Sequence, residues 1–128
     1  MRDNKQTMLD AIRDGLFSIA TGDIVHSYNR AFAKMWDLPL FDEKNQQTYE
    51  SIKAHIEAHI TKIGGTIPDC LLNKAMRYTD TQDMYIKEDL VIEQRLAQDA
   101  DSERGISHVW MFRDVTELKQ QKQERALH

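Results

Sequence analysis

Two histidines are the first residues whose spacing could support chemistry. His55 and His59 lie four apart in the run His-Ile-Glu-Ala-His, so on a helix both imidazoles would point to one side and could hold a metal ion. The order is not that of zinc proteases, because the glutamate does not follow the first histidine. No cysteine or carboxylate is clearly supplied as a third ligand. We therefore expect two boundary histidines and no bound metal.

The remaining reactive residues lack the contexts that catalysis requires. None of the five serines lies in a nucleophile elbow, and the chain has no phosphate loop, dinucleotide-binding glycine pattern or prominent acid pair. Cys70 is the only cysteine, so it can form neither an internal disulfide nor a cysteine-only metal cage. We expect Cys70 to be a core thiol in a reducing compartment, and we expect no enzymatic activity.

Large apolar side chains form a third candidate group, since they could line a ligand pocket. Such residues more often form an ordinary core, and the sequence leaves both interpretations open. The candidate lining residues are Phe17, Ile19, Phe32, Met35, Trp36, Ile56, Met76, Trp110 and Phe112.

The elements that must position these side chains begin with a helix and a hairpin. Thr7–Asp14 has helical spacing, and Gly15 ends it. Leu16–Ala20 and Ile24–Tyr28 have the composition of strands, and the turn between them contains the glycine that a tight hairpin requires.

Helices are predicted for the middle of the chain. Asn29 can cap a short helix, which Pro39 ends early because proline disfavours helical geometry in the residue before it. A stripe of one tyrosine and four isoleucines predicts a longer helix over Asn45–Ile63. A threonine cap, an early proline and an acid in the first turn then indicate the start of another helix, predicted over Asp69–Tyr78.

The hydrophobic period changes in the last third of the chain. Asp83–Lys87, Leu90–Gln98 and Ile106–Phe112 are predicted as strands, and the polar residues from Glu117 onward favour a helix that leaves the domain. The two early strands and the three later ones can join into one antiparallel sheet. We therefore predict an α+β fold with five strands and with helices covering one face.

Length and charge narrow the classes of partner. The chain has 128 residues, which suits one domain, and a net charge of −4 with a pI near 5.7. This balance argues against nucleic acid and against an anionic membrane surface as partners. No apolar run approaches the roughly 20 residues of a membrane span, and the first residues are too polar for a secretory signal. We therefore expect a cytoplasmic location.

Two segments resemble the PAS family of bacterial sensory domains. The segment Met8–Leu38 is similar to the opening of a PAS domain, with a helix, a glycine, two strands around a glycine turn, and then Asn-Arg-Ala before an apolar helix. The segment Gly105–Glu117 contains Val-Trp-Met-Phe-Arg-Asp-Val-Thr-Glu, which resembles the close of many PAS and PAC sequences.

The resemblance implies a fold, a division of the chain and a function. It implies a PAS domain over residues 1–116 and, from residue 117 to 128, the start of a signalling helix. That helix would lead to an output domain such as a histidine kinase or a diguanylate cyclase. Asp114 and Thr116 match the family's Asp-x-Thr step, so the resemblance assigns signal transmission to them. Both side chains can accept bonds from free N–H groups at a helix start.

The resemblance does not identify a ligand or cofactor. Haem bound through a helical histidine would need His55 or His59, since Asp69–Tyr78 contains none, and we do not favour it. A covalent flavin is also not favoured, because Cys70 lies outside the family's Asn-Cys-Arg motif. The small-molecule ligand is therefore left unknown.

Two other functions and one assembly state stay open. The chain could be a ligand-free dimerisation or protein-interaction module, in which its own side chains fill the space between the sheet and the helices. It could also be a small α+β enzyme. A pocket with converging ionisable groups would indicate the enzyme, and an apolar cavity the sensor. We also expect a homodimer, formed by the apolar side of Thr7–Ile12 and the outer face of the sheet.

Overall fold

The chain forms five strands and three helices in a computed structural model that describes residues 13–98 and 105–127. In chain order they are β1 (Gly15–Ala20), β2 (Ile24–Tyr28), α1 (Arg30–Trp36), α2 (Tyr49–Lys62), β3 (Thr81–Lys87), β4 (Leu90–Gln98), β5 (Ile106–Asp114) and α3 (Thr116–Leu127). The helix predicted over Thr7–Asp14 lies, apart from its last two residues, outside the described residues.

The strands form a single antiparallel sheet in the order β2-β1-β5-β4-β3. This confirms the predicted α+β fold with a five-stranded antiparallel sheet. The first strand pairs with the last, since Phe17 lies opposite Trp110 and Leu16 opposite Met111. The beginning and the end of the domain therefore meet at the centre of the sheet.

The first hairpin has the predicted glycine turn and the second turns without one. Gly22 and Asp23 both have positive φ, at 85° and 61°, which glycine adopts freely and aspartate tolerates. Glu88 and Asp89 alone connect β3 to β4, and an irregularity in the strand register lies beside this turn.

Asn29 caps α1 as predicted. Its side-chain oxygen accepts a hydrogen bond from the backbone N–H of Phe32 at 3.0 Å and another from that of Leu16 at 2.9 Å. The cap therefore also ties the helix to β1. Helix α1 ends at Trp36, because Asp37 takes a left-handed conformation with φ 55°.

Helix α2 begins at Tyr49, so the prediction that it begins near Asn45 is wrong. The reason lies in the edge of the sheet: the carbonyl of Gln47 accepts from the N–H of Val25 at 2.9 Å, and Thr48 pairs with Ile24. Because Gln47 and Thr48 pair with β2, they cannot form the first turn of a helix. Thr48 instead caps α2, accepting from the N–H of Ser51.

The helix predicted over Asp69–Tyr78 is also wrong, since this segment is a series of turns. Residues 70–76, which we call the strap, cross the inner face of the sheet. Leu72 has a φ of 52°, which no right-handed helix accommodates. Side chains from the sheet and from α2 satisfy several backbone groups of the strap, so it does not need helical hydrogen bonds.

The inner face of the sheet, helices α1 and α2 and the strap bury one hydrophobic core. The predicted stripe on α2 contributes Ile52, Ile56 and Ile60, each fully buried. Helix α3 lies against β4. The candidate pocket residues therefore lie in or against the core. Strand β5 ends at Asp114, directly before α3 begins.

Candidate functional site

The structure brings all nine candidate lining residues together. Eight belong to the buried core, and Met35 packs against it half-buried. The ring of Phe17 stacks on those of Phe32 and Trp110, with centroids 4.9 and 5.8 Å apart, and Phe112 meets Trp36 edge to face at 6.2 Å. These five rings therefore form one aromatic cluster, in which they contact one another.

Within this cluster one polar atom stands out. The Nε1 atom of Trp36 is buried and has no hydrogen-bond partner among the described residues. A buried N–H without an acceptor is unfavourable by about 1–3 kcal/mol. A carbonyl or other acceptor that entered the core would therefore find a hydrogen-bond donor in the N–H of Trp36.

The strap is held on the inner face by Gln94, which the sequence did not suggest. The side-chain oxygen of Gln94 accepts from the N–H of Leu72 at 2.7 Å, and its amide donates to the carbonyl of Cys70 at 2.7 Å and to the side chain of Gln82 at 3.2 Å. Gln94 is fully buried. The sequence did contain one sign of this role. Gln94 is polar, yet it lies between Ile92 and Leu96 at a position where the side chain of a strand residue faces the core.

Three further side chains bind the carbonyl groups of the strap. The Tyr49 hydroxyl donates to Leu72 at 2.7 Å, and the Trp110 indole donates to Asn73 at 3.3 Å. Nε2 of His108 donates to the Lys74 carbonyl at 3.1 Å. The strap is therefore attached to β4, β5 and α2 together.

Tyr49 lies in an environment that opposes its ionisation. Burial, followed by the nearby carboxylates of Glu50, Asp23 and Glu57, raises the pKa of Tyr49 to about 12. The ammonium of Lys74 lies 4.1 Å from the ring centroid of Tyr49 and 2.7 Å from Asp23. The Tyr49 hydroxyl therefore stays a hydrogen-bond donor to the strap at neutral pH.

Asp114 and Thr116 lie at the junction between β5 and α3, as predicted. The Asp114 carboxylate accepts from the backbone N–H of Thr116 at 3.0 Å and from its hydroxyl at 2.6 Å. The Thr116 oxygen does not cap the helix; it accepts from the N–H of Val91 on β4 at 2.9 Å. The N–H of Val115 donates to the Val91 carbonyl at 2.9 Å. Both backbone groups of Val91 therefore hold the start of the exit helix.

A salt bridge attaches the first turn of α3 to β3. Nζ of Lys119 lies 2.7 Å from the carboxylate of Asp83, and the hydrogen bond to Asp83 raises the pKa of Lys119 above its usual value. Both side chains are partly exposed, so this pair adds orientation more than stability. Helix α3 is thus joined to three strands within its first turn.

The two histidines of α2 do not lie in a ligand cluster. Nε2 of His55 donates to the Asp37 carbonyl at 3.0 Å, at the exposed side of the helix. Within residues 13–98 and 105–127, no group of three or more His, Cys, Asp or Glu side chains could hold a metal ion. The expectations of no metal and no haem at His55 and His59 stay predictions.

Cys70 lies half-buried at the beginning of the strap and packs against the core. Burial, with a smaller effect from Asp69, raises the pKa of its thiol. This favours the protonated thiol over the nucleophilic thiolate, in keeping with the predicted structural role.

Among the described residues, open clefts lie beside the two edge strands of the sheet, β2 and β3. A cleft of about 330 Å³ separates β2 from the loop of residues 41–47. A second cleft, of about 470 Å³, lies between the β3–β4 hairpin and α3, beside Val91 and Thr116.

In the part of the chain that the structure describes, no helix is long and apolar enough to cross a membrane.

No family model matches the chain, and no curated protein matches it.

Proposed function

We propose that this chain is a sensory module of the PAS type, which controls an output domain and performs no chemistry of its own. The two segments that resemble the family lie side by side, because β1 pairs with β5. The observation that carries the proposal is the junction at which Thr116 and Asp114 join the exit helix to β4. Through these bonds, a displacement of the sheet changes the position of the helix.

The input side of the proposed module is the inner face of the sheet. An apolar ligand with one hydrogen-bond acceptor would bind at the aromatic cluster, where the N–H of Trp36 has no partner among the described residues. Such a ligand would have to displace the strap or side chains of the core. We place the module in the cytoplasm, ahead of a histidine kinase or a diguanylate cyclase.

A fusion of the chain to such an output domain tests the proposal. Thr116→Val removes the hydroxyl at nearly constant shape, whereas Thr116→Ser keeps it. Loss of one coupling hydrogen bond, worth about 1 kcal/mol, should change the basal output activity roughly fivefold in the valine variant, while the serine variant keeps the wild-type activity. Equal activity of all three fusions at equal expression would contradict the proposal.

A ligand-free interaction module is the second candidate, and the mutual contact of the core rings favours it. Native mass spectrometry and an absorption spectrum of the purified protein separate the two. A small molecule retained with one-to-one stoichiometry supports the sensor. A chain without bound molecules, which also gains no thermal stability from a library of apolar compounds, supports the interaction module.

We further propose that two copies associate through the outer face of the sheet. Leu16, Val109 and Met111 alternate with buried residues on β1 and β5, so they lie on the outer face, where they are half-buried. Met8 and Ile12, on the predicted helix outside the described residues, would complete the contact. Light scattering should give a dimer that Met8→Asp/Ile12→Asp dissociates. A wild type that stays monomeric at high micromolar concentration would refute this.

A further inference from the structure

The cleft between β2 and the loop of residues 41–47, which we call the β2 cleft, lies at the margin of the core, and no residue of the exit helix lines it. It forms because the chain after residue 47 pairs with the beginning of β2, while the preceding loop bends away from that strand. The remaining space is half-open and measures about 330 Å³. This is at the lower end of the volumes that small-molecule sites occupy.

The inner wall of the β2 cleft is apolar and firmly held. Val25 and Tyr28 are buried, and the Tyr28 hydroxyl donates to the carbonyl of Pro39 at 2.6 Å, which anchors the start of the loop. Phe41 meets the Tyr28 ring edge to face at 5.5 Å. These side chains give the cleft a preformed wall against which a short aliphatic chain can lie.

The rim of the β2 cleft is acidic. Asp42 and Glu43 line it together with three side-chain amides, and no lysine or arginine is among the described lining residues. One oxygen of Asp42 accepts from the N–H of Lys44 at 3.0 Å, which orients the carboxylate and leaves its other oxygen available. The cleft therefore offers negative charge and neutral acceptors above an apolar wall.

We propose that the β2 cleft binds a small aliphatic amine. An alkylamine is protonated at neutral pH, so its ammonium group pairs with Asp42 and Glu43, and its alkyl chain covers Val25 and Phe41. Since the carboxylates are exposed, their contribution is modest and salt-dependent, and we expect a dissociation constant of about 0.1–1 mM. The site is independent of the sensory function proposed above.

The test is a titration of the whole chain, labelled with ¹⁵N, with n-butylamine at low ionic strength. We expect saturable amide shifts confined to residues 24–28 and 41–47. The neutral isostere 1-butanol and the anion butyrate should bind at least about fivefold more weakly, since each loses the ionic contact. Ammonium chloride should also bind more weakly, because it lacks the alkyl chain.

A pair of variants with equal charge separates the site from the overall acidity of the protein. Asp42→Asn/Glu43→Gln keeps the shape and the bond to Lys44 and should weaken butylamine binding about fivefold to thirtyfold. Asp69→Asn/Asp89→Asn removes the same charge from exposed positions outside the cleft and should leave binding unchanged. Equal weakening in both variants, unchanged binding in the first, or shifts spread over the whole surface would overturn the proposal.

Discussion

Replacement of Gln94 by leucine should destabilise the domain by removing the attachment of the strap. The two side chains have similar volume, so the change creates little cavity and mainly deletes hydrogen bonds. The N–H of Leu72, now 2.7 Å from the Gln94 oxygen, would be buried without an acceptor, at a cost of about 1–3 kcal/mol. The Cys70 carbonyl would also lose its hydrogen-bond donor. This loss costs less, because Cys70 is half-buried and water can replace the donor. We expect the free energy of unfolding to fall by about 2–4 kcal/mol in total.

Urea denaturation and hydrogen exchange measure this effect. The midpoint should fall with an unchanged dependence on denaturant, and the Leu72 amide should exchange much faster, since its acceptor is lost. Gln121→Leu, an exposed position on α3, is the matched control and should change stability by no more than about 0.5 kcal/mol. A Gln94→Leu protein as stable as the wild type, with slow exchange at Leu72, would refute the assigned role of this side chain.

Four further outcomes can be checked on the same protein by denaturation. Thr116→Val should lower stability by about 1–2 kcal/mol and Thr116→Ser by less than half of that, since serine keeps the hydroxyl; equal losses would contradict this. Combined with Gln94→Leu, Thr116→Val should give a non-additive loss of at least about 0.5 kcal/mol, whereas simple additivity would show that strap and junction are independent. Because burial raises the pKa of Tyr49 from 10.0 to about 12, its contribution is complete below pH 10 and is lost as the pH rises to about 12, so Tyr49→Phe should flatten the decline in stability over that range; an unchanged pH profile would argue against it. Gly65→Ala should cost about 1–3 kcal/mol, since a Cβ would lie 2.9 Å from the carbonyl oxygen of Ile86, and an unaffected midpoint would count against this contact.

The strands could be predicted from the sequence because their signals are local. Period-two alternation and turn chemistry depend only on neighbouring residues, and β2 and β4 begin and end where they were predicted. The cap at Asn29 was found in the same way. Its second bond, from the N–H of Leu16, could not be predicted, because it depends on how α1 lies against β1.

The strap could not be predicted because tertiary contacts override its local pattern. Thr66, Pro68 and Asp69 have the chemistry of a helix start, yet the N–H of Thr66 donates to the Ile86 carbonyl at the edge of β3. Farther along, Gln94 and Tyr49 take the hydrogen bonds of Leu72. A segment whose backbone groups find partners across the fold gains nothing from a helix.

The sequence indicated which large side chains meet in the core, but not how the candidate residues are connected to the rest of the fold. The aromatic residues were identified from size and position, and they meet in the core as any set of inward-facing residues would. At the junction, Asp114 and Thr116 came from the PAS resemblance. Their partner Val91 offers only backbone atoms, so no side-chain pattern in the sequence could have indicated it.

Strand β4 is the element that connects the strap with the exit helix. Gln94 holds the strap through its side chain, and Val91 holds the start of α3 through its backbone. The two residues are three positions apart on one strand, which is about 10 Å. A strand paired on both sides is stiff along its length, so a ligand that displaces the strap at Gln94 acts on the same strand that positions Thr116. This short path is the physical reason to expect coupling between the inner face and the exit helix.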